Sequence, residues 1–152
     1  MSKPRTANPA LAISEADLAS ALAQIGTEVD DQPLRSSALA RIMRETFHGS
    51  DAGGAWDWRM AYDMMQAAAI QVFLRGAGAT ADIANAKLLA SRLLTETRRS
   101  EQQIRLQQFS TPLPFAALVL RAAAIRKGET VLEPSAGTGA LAAFAARAGA
   151  TL

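Results

Sequence analysis

The chain has 152 residues, 49% hydrophobic, 5% aromatic and 20% charged, a balance that fits a folded domain and excludes general disorder. With no cysteine and a single histidine, His48, disulfides, thiolate metal sites and multi-histidine metal sites are excluded. A net charge of +2 is too slight by itself to mark a nucleic-acid binder. No apolar run is long enough to span a bilayer, and Met1 to Pro9 has no signal-type apolar core, so no membrane association and a cytoplasmic location are expected.

Residues 1–13 read as a flexible leader and 14–99 as a helical domain. Ser14 offers a helix cap, with Glu15 and Asp17 in the first turn, where negative charge suits the helix dipole. Leu18, Leu22 and Ile25 form an apolar stripe, and Gly26 is expected to end this helix in a left-handed cap. Thr27 to Pro33 then reads as a loop. A second helix is predicted from Leu34 to Phe47, burying Leu39, Ile42, Met43 and Phe47. After the turn Gly49 to Gly54, a third runs from near Ala55 to Arg75. It is apolar on two flanks, the mark of a central helix. The fourth begins at Thr80 and Asp82 and ends near Arg99, with Asn85, Arg92 and Glu96 facing water.

The character changes in 100–152. Glu101 to Gln108 is polar, and Phe109-Ser110-Thr111-Pro112 leads into a predicted helix over Phe115 to Ile125. Arg126 to Glu129 is a turn, Thr130 to Glu133 a short β-prone run, and Ala140 to Ala148 a helix closed by Gly149. Ala150 to Leu152 looks like the start of another strand. Strand, loop, helix, turn, strand is how a parallel doubly wound sheet begins. The expected fold is therefore mainly α: a helical bundle followed by the strand–loop–helix beginning of a Rossmann-like α/β domain. A parallel sheet needs more strands than this, so the chain reads as a fragment or a truncated product.

The loop between that strand and helix carries the chemistry. Glu133-Pro134-Ser135-Ala136-Gly137-Thr138-Gly139 places a carboxylate at the strand end and two glycines where backbone must pass close to a ligand. The next helix presents unpaired amides. A nucleoside with an amino-acid tail suits this set, because Glu133 can accept from its ammonium. A phosphate-binding P-loop would need a lysine after Gly139, and none follows. A dinucleotide site usually has its first glycine directly after the strand, and Glu133 would repel a pyrophosphate. An ordinary glycine-rich turn is the remaining alternative.

The string Val131 to Ala142, VLEPSAGTGALA, resembles motif I of the amino-methyltransferases that modify adenine in DNA, where acidic-Pro-x-x-Gly-x-Gly binds S-adenosylmethionine. Gln108 to Pro112 is similar to that family's preceding motif, which closes over the methionine part of the cofactor. The runs Gly54 to Asp63 and Thr97 to Pro114 widen the likeness to the start of bacterial plasmid- or phage-borne proteins fusing a methylase-like domain to a strawberry-notch-type helicase. The resemblance implies S-adenosylmethionine as cofactor and DNA as partner of the full-length parent. It places the cofactor on Phe109, Ser110, Thr111 and Pro112 and on Glu133, Pro134, Ser135, Ala136, Gly137, Thr138 and Gly139. The family's Asn/Asp-Pro-Pro-aromatic motif does not occur in these residues, so no catalytic residue is assigned and no activity is expected of this chain alone.

Other residues invite function. Arg92, Arg98, Arg99 and Arg105 would make a basic strip for phosphates, or a solvated helix face. Trp56 and Trp58 suit base stacking or the core, and His48 a helix end. A second function class fits the same sequence: a non-catalytic helical interaction or regulatory module whose glycine loop is vestigial, or whose sheet is completed by a protein partner or by missing C-terminal domains.

Overall fold

A computed structural model describes residues 13–76, 83–98, 105 and 110–152. The described residues are mainly helical, in six helices: α1 (Glu15–Asp31), α2 (Ser36–Thr46), α3 (Trp58–Gly76), α4 (Ile83–Ser91), α5 (Leu113–Ala123) and α6 (Ala140–Arg147). None is long and apolar enough to cross a membrane. The expected leader, apart from Ile13, lies outside the described residues, as do Thr80 and Asp82.

Ser14 starts α1 as expected. Its hydroxyl accepts from the Asp17 amide at 3.1 Å, and the Asp17 carboxylate accepts in return from the Ser14 amide at 3.4 Å, a capping box. Gly26 does not end this helix. It lies buried in the middle of α1, and a Cβ there would stand 3.2 Å from Arg75 Nη2 and 3.4 Å from Val72 Cγ2 of α3. The helix continues because Val29, one turn beyond Ile25, is also fully buried. That burial outweighs the roughly 0.5–1 kcal/mol a mid-helix glycine costs relative to alanine.

The central helix is α3. It packs against α1, α2, α4 and α6, and buries Ala61, Tyr62, Met64, Met65, Ala68, Ala69, Ile70, Val72 and Phe73. It begins at Trp58 rather than near Ala55, because the Asp57 carboxylate accepts from the Met60 amide at 2.7 Å. Trp56 lies just outside the helix and belongs to the core. Its indole N–H donates to the Gly49 carbonyl at 2.9 Å, while that of Trp58 donates to Asp51 at 3.0 Å. The two indoles thus pin the preceding loop, where His48 takes a left-handed φ of 54°.

Two expectations for the fourth helix are corrected. It ends at Ser91, short of Arg99, because the Arg92 carbonyl that would continue its ladder accepts from the Leu34 amide at 2.8 Å. Arg92 and Glu96 are also turned inward. The Arg92 guanidinium donates to the carbonyls of Val29, at 3.2 Å, and Asp30, capping the end of α1. Glu96 Oε1 accepts from Gln66 Nε2 of α3.

Helix α5 follows Pro112, holds Pro114 in its first turn and stops at Ala124, which adopts a left-handed φ of 49°. Thr130 then pairs with Thr151 as a single parallel bridge, with Val131 N donating to Thr151 O at 2.8 Å and Thr151 N to Glu129 O at 2.9 Å. Beyond this bridge the expected strand Thr130 to Glu133 is not formed, and the described residues contain no sheet. A parallel ladder is slanted and needs neighbours on both sides to persist. Helix α6 packs on α5 and α3, and Phe144 of α6, 1% exposed, meets Phe73 of α3 with ring centroids 5.0 Å apart.

One buried polar atom stands out in this packing: the Thr46 hydroxyl at the end of α2 has no hydrogen-bond partner. Thr46→Val keeps the shape and removes the desolvation cost. A gain of about 1 kcal/mol is expected, read as a rise in melting temperature of about 2–4 °C.

Candidate functional site

The glycine loop is built as its residue types demand. Glu133 Oε1 accepts from the Ser135 amide at 2.9 Å, which turns the chain out of the bridge region. Gly139 N donates to Ala136 O at 2.7 Å, closing a tight turn. Gly137 and Gly139 have φ of 54° and 86°, a region that side-chain-bearing residues rarely enter. Gly139 is the N-cap of α6 and has no side chain to cap it, so the first-turn amides of α6 face the loop without a side-chain acceptor. Pro134 to Gly137 are exposed, whereas Ala140, Phe144 and Ala145 anchor the helix behind them. The result is an exposed loop on a fixed base, suited to a ligand that accepts from backbone amides. The Glu133 carboxylate is already committed at one oxygen to the loop's own backbone, so its first role here is shaping the turn.

The upstream residues sit elsewhere. Ser110, Thr111 and Pro112 line a cavity of about 380 Å³ with Met65, Gln66 and Ile70 of α3, Ala90 of α4 and the segment Leu93 to Glu96. No residue of the glycine loop lines it. Phe109 lies outside the described residues. Gln66 and Glu96 were invisible as site residues in the sequence. They are 30 positions apart, and neither stands in a motif that would announce the pair.

Two members of the expected basic strip are engaged elsewhere among the described residues. Arg92 caps α1, and Arg98 stacks on the Trp58 ring with its guanidinium carbon 4.3 Å from the centroid, a cation–π contact. Arg105 is exposed, and Arg99 lies outside the described residues. Among the described residues no cluster of His, Cys, Asp and Glu is arranged to hold a metal.

Near Gln66 and Glu96 the Asp63 carboxyl is held above its usual range, mainly because burial strips its water. Arg59, 3.9 Å away, opposes the rise, while Glu96 and Asp57 add to it. A carboxyl with a raised folded pKa binds more protons folded than unfolded. Its cost to stability therefore appears as pH rises through the window above 3.8 and is absent below it. Asp63→Asn is expected to raise the urea midpoint at pH 7, with the gain vanishing towards pH 3.

Neither a protein-family model, nor a curated protein, nor a solved structure matches this chain.

Proposed function

We propose that the chain contributes part of an S-adenosylmethionine site to a DNA adenine-type methyltransferase, of the kind that strawberry-notch methylase–helicases carry. The observation that supports this best is the parallel pairing of Thr130 and Val131 with Thr151, with the glycine loop and α6 between them. A single bridge is not a sheet, but this chain order, bridge, loop, helix and bridge, is the one a Rossmann-like beginning would need, and on this reading the loop stands where α/β folds bind their ligands. The left-handed Gly137 and Gly139 and the α6 N-terminus, which has no side-chain cap, suit a nucleoside cofactor. Glu133 shapes the loop, and Ser110, Thr111 and Pro112, which line a separate cavity, are not brought to it. DNA is the substrate this reading implies for the parent protein, with base flipping as the family's mode of access.

Calorimetric titration with S-adenosylmethionine tests the reading on this chain and on a longer protein that continues the sheet. Binding is expected from the longer protein and is expected to be abolished by Gly137→Val. Glu133→Ala is expected to abolish it too, through collapse of the turn. Absence of binding in both proteins would overturn the reading. This chain is expected to transfer no methyl group, since it lacks the family's catalytic motif.

A second reading, a helical docking module, draws on a different observation. Phe115, Leu118 and Val119 lie on one face of α5 and are about half exposed or more, as is Leu152, and Leu132 is 88% exposed. Contiguous apolar exposure of this kind marks interaction surfaces. Sedimentation of the chain with and without Phe115→Ser and Val119→Ser tests it. Association that survives both substitutions would count against a docking role for that face.

A further inference from the structure

The glycine loop follows the Thr130 bridge residue, and a turn of different chemistry precedes it. Helix α5 stops at Ala124. Arg126 N then donates to Glu129 Oε2 at 2.9 Å, Glu129 N to Arg126 O at 3.2 Å, and Gly128 N to Gly149 O at 2.8 Å. The Lys127 stem lies against Gly149, just past the end of α6. These contacts fix the turn and present Arg126 and Lys127 a few residues after Arg121, which stands in the last turn of α5. All three are exposed. The dipole favours a cation in a helix's last turn, and that accounts for Arg121. Arg126 and Lys127 lie beyond the helix, where this field has faded. Glu129 is committed at one oxygen to the Arg126 amide, so its part is to shape the turn. Residues 121–129 thus hold three cations and one carboxylate, an excess equal to the +2 of the whole chain. Arg147, in the last turn of α6 just before Gly149, is already engaged within the chain.

We propose that Arg121, Arg126 and Lys127 form a contact surface for the phosphate backbone of nucleic acid. An arginine fork takes two phosphate oxygens at once, and a lysine adds a point charge. Contacts of this kind hold a strand without reading its sequence. The choice of nucleic acid over another polyanion rests on the methyltransferase reading, whose parent acts on DNA.

Fluorescence anisotropy of the 152-residue chain with a short labelled duplex of mixed sequence tests the proposal. Three phosphate contacts predict a slope of about −2.7 in log K against log salt, hence about fortyfold weaker binding at about 200 mM than at about 50 mM salt. Arg126→Gln is expected to make that slope shallower by about one. Arg121→Gln, Arg126→Gln and Lys127→Gln together are expected to weaken binding at low salt at least about tenfold. A charge-matched control elsewhere, Arg35→Gln, Arg44→Gln and Lys87→Gln, is expected to stay within about threefold of the unaltered chain. In a longer protein that continues the sheet, the triple variant is expected to keep S-adenosylmethionine binding, and Gly137→Val to lose the cofactor and keep the duplex. Loss of the duplex alone and loss of the cofactor alone therefore tell failure of this surface from failure of the methyltransferase reading. The proposal is overturned by no duplex binding at low salt, by a slope that Arg126→Gln does not move, or by an equal loss in the charge-matched control. A preference for phosphatidylserine vesicles over duplex, abolished in the triple variant, would overturn it as well.

Discussion

Phe144→Ala is expected to destabilise the whole chain by about 3–5 kcal/mol, a fall in melting temperature of about 6–20 °C. Phe144 is among the largest fully buried side chains, and it is the residue through which α6 reaches the central helix, ring to ring with Phe73. Truncation removes the transfer energy of a phenyl ring and leaves a cavity between α6, α5 and α3. Ala140 and Ala145, its buried neighbours on α6, are too small to fill that space. The test also reports on architecture. Because Phe144 belongs to the same core cluster as Ile25, Met43 and Met65, far-UV circular dichroism should show one transition shifted as a whole. A first transition confined to a minor part of the helical signal, with the bundle melting unchanged, would show that 110–152 is only loosely attached.

Gly149→Val is the second large effect. Gly149 has a φ of 88°, and a Cβ there would lie 2.9 Å from Lys127 Cγ and 3.3 Å from Lys127 Cα. The first of these distances is relieved only by moving the lysine side chain, and the second involves backbone. Left-handed strain on a β-branched residue costs about 1–3 kcal/mol, and the clash adds to it, so a loss of at least about 2 kcal/mol is expected. The damage should be local in structure as well. The Gly149 carbonyl accepts from Gly128 N at 2.8 Å, two residues before the Thr130–Thr151 bridge, so hydrogen exchange at Val131 and Thr151 should accelerate. Gly128→Asn separates strain from crowding. Gly128 has a φ of 86°, yet nothing lies within 4 Å of its would-be Cβ, and asparagine tolerates that region. Its cost should be the smaller of the two in urea unfolding. Equal costs would mean that Lys127 yields freely.

The comparison of sequence with structure turns on the range of each signal. The Ser14 cap and the apolar stripes of α1, α2 and α3 were legible because they depend on residues three or four positions apart. Gly26 misled because a glycine after an apolar stripe carries the same local signature whether it stops a helix or lets another helix approach. Only the burial of Val29, and the position of Val72 and Arg75 on a distant helix, decides between the two. Arg92 and Glu96 misled for the same reason, since their partners Val29, Asp30 and Gln66 are 30 to 63 positions away. In the candidate site, the left-handed conformations of Gly137 and Gly139 follow from residue type, and the turn follows from Glu133 and Ser135. The placement of Ser110 to Pro112 against α3 and α4, away from the loop, needed the packing of α5 on α4 and could not be read from spacing.

The Arg92 guanidinium has a consequence for how the chain is made. The last carbonyls of α1 are satisfied by a residue 62 and 63 positions later. A ribosome adding about 5–20 residues per second needs about 3–12 s to reach it, and longer before Arg92 clears the exit tunnel. During that interval the carbonyls of Val29 and Asp30 have only water in place of the guanidinium. Nascent chains arrested before Arg92 should therefore expose the 27–31 region to protease, and chains arrested well beyond it should protect that region. Biogenesis of this fold is set by its middle, which reaches back to finish its beginning.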